Sequence, residues 1–173
     1  MRETISRILG ERIGVDLATG IKETIMKFPD VSGAYDLVLH NYGPDNYIGS
    51  VHVEVPDTYT ADMIDRLTRE IQREVYKEHR IILAAIGIYS ENTVSERVAE
   101  MKQRVAEIVN ANGQVLQMHG FYVDEENMRM SFDVIIGFDS PDRSGEYMRI
   151  VREVSAAYPE YELAVTLDAD VSD

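Results

Sequence analysis

The feature that most constrains this chain is an order of elements, written in its apolar residues, that is run through once and then again. In the first pass Leu17, Ile21, Ile25 and Phe28 recur at three- and four-residue spacing, one face of a helix over 16–28. Pro29-Asp30 stops it. Residues 31–42 read as a strand, Gly43-Pro44-Asp45-Asn46 as a turn, and 47–55 as a second strand. That second strand alternates, with Val51, Val53 and Val55 on one face and Ser50, His52 and Glu54 on the other. Thr60 is placed to cap a helix whose apolar stripe is Ile64, Leu67, Ile71 and Val75, and residues 80–89 form a third strand.

The second pass repeats the first. Val98, Met101, Val105, Ile108 and Val109 line a helix over 95–112, closed by Gly113. Strands over 115–123 and 128–138 flank the acidic turn Asp124-Glu125-Glu126-Asn127. A helix opened by Asp139-Ser140-Pro141 carries Tyr147, Ile150, Val151 and Val154, and residues 161–169 close the unit as a strand. Two local matches align the copies: Leu39-His40 with Met118-His119, and Ser50-Val51-His52-Val53 with Ser131-Phe132-Asp133-Val134. The fold class is therefore α+β, two tandem αββαβ units, each a three-stranded sheet with its helices on one face. The expected division is a lead-in at 1–14, a first unit at 15–91 and a degenerate second unit at 92–173. A unit of this size makes a marginal core and leaves one sheet face open, so a second copy or a second chain is the natural cover.

Composition narrows the function. The chain has 31 acidic against 17 basic residues, a net charge of −14, which repels phosphate backbones and argues against nucleic-acid partners. Cysteine is absent, which excludes disulfides, thiol nucleophiles and cysteine-based zinc sites. No apolar run approaches the roughly 20 residues that span a bilayer, and Met1-Arg2-Glu3-Thr4 opens no signal peptide. Phosphate loops, nucleophile elbows and His-Glu-x-x-His are missing, so the expectation is a binding and regulatory module, not an enzyme.

The polar residues with most chemical promise lie on the first hairpin. Asp36, Val38, His40 and Tyr42 share one face of their strand, and Ser50, His52 and Glu54 share one face of the next. A five-residue loop or a bulge brings both sets onto the helix-free face; a four-residue loop sends them to opposite faces. In the first case Asp36, His40, His52 and Glu54 offer the mixed nitrogen and oxygen donors that suit zinc and similar divalent metals. In the second they are ordinary solvent-facing residues. His79 reads as a surface or capping residue, and His119 as a hydrogen-bonded core histidine. Met118, Met128 and Met130 read as apolar filling.

One stretch is more specific. Ile8-Leu9-Gly10, Phe28-Pro29-Asp30-Val31-Ser32-Gly33-Ala34-Tyr35-Asp36-Leu37, His40-Asn41-Tyr42-Gly43-Pro44-Asp45 and Ser50-Val51-His52-Val53-Glu54-Val55 together resemble the cytoplasmic C-terminal domain of cation diffusion facilitator metal transporters. The resemblance covers about residues 5–90 and implies a ferredoxin-like, metallochaperone-like fold. It also implies a homodimer at the cytoplasmic face of a membrane antiporter, which exchanges divalent metal such as zinc for protons. The transporter's own transmembrane domain would precede residue 1. Of the family's usual metal positions, the histidine before Asp-Leu is here Tyr35, a helical histidine is Asp65, and the terminal His-x-Asp-Pro is Gly87-Ile88-Tyr89-Ser90. Asp65 thus joins the candidate ligands, and the second copy is expected to supply packing that metal supplies elsewhere. The alternative is a stand-alone ferredoxin-like regulatory protein that binds a small molecule.

Overall fold

The computed structural model describes residues 15–43 and 46–168. The element order is α1 (Val15–Ile25), β1 (Gly33–Asn41), β2 (Tyr47–Pro56), α2 (Ala61–His79), β3 (Ile82–Glu91), α3 (Glu96–Val109), β4 (Val115–Asp124), β5 (Arg129–Ile136), α4 (Arg143–Ala157) and β6 (Glu162–Asp168). The order αββαβ therefore occurs twice, and the fold is α+β and ferredoxin-like. The chain divides into two compact units between Ile88 and Tyr89. The expected lead-in at 1–14, the turn residues Pro44 and Asp45, and the last expected strand residue, Ala169, lie outside the described residues.

In the first unit the strands run in the order β1-β2-β3, with β1 antiparallel to β2. Its core joins one stripe of each helix to one face of the sheet: Ala18, Ile21 and Ile25 of α1 and Leu67, Ile71 and Val75 of α2 meet Leu37, Leu39, Val51, Val53, Val55 and Leu83. Each such aliphatic side chain contributes about 1.5–3 kcal/mol when fully buried. Alternation then sends Ser50, His52 and Glu54 to the other, helix-free face. Thr60 caps α2, accepting a hydrogen bond from the Met63 amide, as its position suggested. The helix ends at Arg80, which adopts φ 60° where glycine is the usual choice.

The second unit has the order β4-β5-β6, with β4 antiparallel and β6 parallel to β5. Val98, Met101, Val105 and Val109 of α3 and Ile150 and Val154 of α4 pack on Phe121, Met130, Phe132, Val134 and Ile136. Arg149 ties these helices together: its guanidinium donates to the Ile108 and Val109 carbonyls at the end of α3 and bonds Glu146 and Glu153 on its own helix. Two of the element boundaries that differ from expectation have a plain local cause. The first helix stops at Ile25, because Lys27 and Phe28 close a tighter turn onto Thr24 and Ile25. The last helix starts beyond Pro141, because the Asp142 carboxylate takes the Gly145 amide as an N-cap.

Candidate metal-ligating site

The hairpin register decides what the first unit presents. Asn41 faces Tyr47, His40 faces Ile48 and Val38 faces Ser50, after which the pairing shifts and Tyr35 faces His52. Asp36 and Leu37 thus lie together in a bulge opposite Val51, and Asp36 adopts φ 54°, a left-handed conformation that aspartate tolerates better than most residues. The bulge sends Leu37 into the core and leaves Asp36 on the helix-free face. There a carboxylate oxygen of Asp36 lies 3.0 Å from Nδ1 of His52. The His52 ring lies over Gly87 of β3, where a Cβ would collide with it. Gly87 stands where the resembled family commonly has a histidine, and the ring of His52 fills the space that a side chain there would take.

The other expected ligands are placed differently. His40 shares the face, but four residues of strand put its Cα about 13 Å from that of His52. Glu54 is buried, and its carboxylate accepts from the Ser32 and Tyr35 hydroxyls, each at 3.4 Å. Asp65 lies on α2, which packs on the opposite face of the sheet, and its exposed carboxylate pairs with Arg69 at 2.9 Å. The Arg69 hydrogen bond holds the Asp65 carboxyl below its ordinary range. Of the five expected ligands, Asp36 and His52 are the pair in contact. His79 serves neither as ligand nor as a free cap. Its Nε2 lies 2.8 Å from the Thr24 hydroxyl, which also donates to Glu78 at 2.7 Å, and this polar clasp joins α1 to α2.

The second unit repeats the bulge. His119 faces Asp133, Tyr122 faces Ser131, and Gly120 and Phe121 fall between, with Gly120 at φ 61° and Phe121 in the core. Gly120 therefore corresponds to Asp36, and Asp133 to His52. The alignment of His119 with His40 is corrected by this register: counted from the bulge that both hairpins share, His119 corresponds to Tyr35 and His40 to Asp124. His119 is buried, as a core histidine would be, but its Nε2 lies 3.9 Å from carboxylate oxygens of both Asp133 and Asp168. The sequence signal that could have pointed there was a carboxylate on each of the two neighbouring strands, at positions fixed only by register.

Residues 16–86 match the profile of the cation efflux protein, cytoplasmic domain. The first unit is thus similar to the cytoplasmic domain of cation efflux proteins. Among solved structures, the metal-bound C-terminal domain of the CzcD transporter from Thermotoga maritima is 21% identical, covers 46% of this chain and 93% of its own, and has a TM-score of 0.42. The copper form of the MamM C-terminal domain is 16% identical, covers 46% of this chain and 75% of its own, and has a TM-score of 0.38. A comparison with curated proteins finds no match. The cation efflux match ends before Tyr89, so the second unit lies beyond it. Among the described residues no helix is long and apolar enough to cross a membrane.

Proposed function

We propose that this chain is the regulatory and dimerisation part of a proton-coupled divalent-metal efflux transporter, with the second unit a degenerate copy of the first. The observation that carries this reading is the coincidence of the cation efflux match, at 16–86, with the first compact unit. The Asp36–His52 pair supports a cation-responsive role, since it sets one imidazole and one carboxylate side by side on the helix-free face. Two donors are fewer than the four of a closed zinc site, so an ion held there draws the rest from a second copy of the chain or from water. Metal would then favour the paired arrangement over the separated one by its differential affinity for the two. Residues 1–14 would lead in from the transmembrane part.

Sedimentation velocity of the metal-stripped chain, with and without zinc, tests this directly. The expected result is a monomer–dimer equilibrium that zinc tightens, with the zinc effect lost in His52→Ala and in Asp36→Asn but kept in His40→Ala. A chain that stays monomeric at all concentrations, with or without zinc, sinks the proposal.

A further inference from the structure

We propose that the outer face of α2 docks on an anionic lipid bilayer. The helix buries Leu67, Ile71 and Val75 against its sheet. A helix turns about 100° per residue, so the line opposite that stripe carries Arg66, Arg69, Arg73, Lys77 and Arg80. Five of the chain's 17 basic residues thus stand on one ridge about 21 Å long, and all five are exposed.

Helix stability alone does not account for the ridge. Cations favour a helix C-terminus, which suits Lys77 and Arg80 but not Arg66, Arg69 and Arg73, further from that end. Neighbours along the ridge are three or four residues apart, where like charges oppose one another. The Glu74 hydrogen bond raises the affinity of Lys77 for its proton, and the Arg73 charge one turn back works against it. Ion pairs to the sides take up Arg69, with Asp65 at 2.9 Å, and Lys77, with Glu74 at 2.8 Å. Arg66 and Arg73 have no ion pair among the described residues. The acidic residues Asp65, Glu70, Glu74 and Glu78 fall to either side, and Asp62 alone extends the line at the helix start. In α4, the counterpart of α2 in the second unit, the equivalent exposed line reads Ser144, Met148, Arg152 and Ser155. The row of cations belongs to the first unit and not to the repeat.

Its shape selects the partner. A straight row on the outermost line of a helix meets a flat anionic layer with every member at once, each adding its own attraction to the headgroups. A protein partner calls for an apolar centre to the patch, and this line has none. Tyr76, at its edge, is the one large apolar side chain that α2 exposes, and Arg80 lies over its ring at 5.7 Å. Aromatic rings of this kind sit at headgroup level. The net charge of −14 does not prevent contact, because salt confines each charge to about 8 Å and the layer meets the arginines before the flanking carboxylates. The nearness of a membrane is taken from the function proposed above; the ridge is independent of it.

Co-sedimentation of the whole, metal-stripped chain with vesicles tests the surface. Phosphatidylcholine vesicles containing about one-third phosphatidylserine should carry the chain down at low salt, pure phosphatidylcholine should not, and about 0.5 M sodium chloride should release it. Arg66→Ala and Arg73→Ala, both at exposed positions, should each lower the partition coefficient about fivefold. Arg66→Glu/Arg73→Glu should abolish binding. Arg104→Glu/Arg152→Glu makes the same change of net charge on exposed positions of the second unit and should leave binding in place. No partition onto anionic vesicles, or equal loss in both double variants, would overturn the surface. Capture of poly-glutamate with no binding to vesicles would also overturn it, in favour of an acidic peptide. Zinc-dependent dimerisation, followed separately by sedimentation velocity, stands or falls apart from these outcomes.

Discussion

Asp36 and Gly120 occupy the same place in the two hairpins, each the first residue of a two-residue bulge and each in the left-handed region, at φ 54° and 61°. Only one of them has a side chain to strain. Gly120→Ala would force a Cβ into an unfavourable backbone conformation and against the Tyr89 ring, at a cost of about 1–2 kcal/mol for the backbone alone. Asp36→Gly should leave the fold within about 1 kcal/mol of the parent, since relief of the backbone offsets the lost contact to His52. Urea unfolding of both variants checks the contrast.

Gly87→Ala should displace the His52 ring from its seat over β3, because even a methyl group there meets the imidazole. The overpacking should destabilise the first unit by about 1–3 kcal/mol. It should also separate His52 from Asp36, which appears as a change in the His52 ring resonances and as a weaker response to zinc.

Arg149 holds the second unit's two helices together through carbonyls on one and carboxylates on the other. Burial lowers its proton affinity, but the Glu146 hydrogen bond outweighs that and keeps the guanidinium charged throughout the accessible range. Arg149→Met should cost about 2–3 kcal/mol, since it strands the nearly buried Glu146 carboxylate as well as the end of α3. Thermal unfolding should show the loss, and Arg149→Met/Glu146→Gln should recover part of it.

Glu78 makes the α1–α2 clasp sensitive to acid. The Thr24 hydroxyl, and then the Lys27 ammonium, hold its carboxyl below the ordinary glutamate value of 4.5. A group whose folded pKa is depressed adds stability above its unfolded value and loses it as pH falls through the folded one. The first unit should therefore weaken as pH drops below 4.5, and Glu78→Gln should flatten that part of the stability profile. Hydrogen exchange of the α1 amides across this range measures it.

Much of the fold was legible in advance because it rests on periodicity. Val51, Val53 and Val55 alternate into the core, and Leu67, Ile71 and Val75 return to one face of a helix that Thr60 starts. The same stripe already placed Asp65 off the buried face, where it pairs with Arg69 one turn on. The site was legible only conditionally. Which residues Asp36 and His52 meet depends on pairing across strands, and alternation along one strand carries no information about register. The bulge at Asp36 and the stop at Arg80 lacked the glycine that usually marks a left-handed residue, and His119 became chemically interesting only once Asp133 and Asp168 were seen to flank it.

The repeated hairpin has a consequence for inheritance. When a domain meets an identical copy about a two-fold axis, every substitution enters both halves at once, so a costly residue is imposed twice. A chain that encodes its unit twice is released from that symmetry. Here one hairpin has an aspartate at the left-handed corner and the other a glycine, and a histidine pairs from the second strand in one and from the first strand in the other. Each hairpin is thereby free to carry a different side chain at an equivalent position.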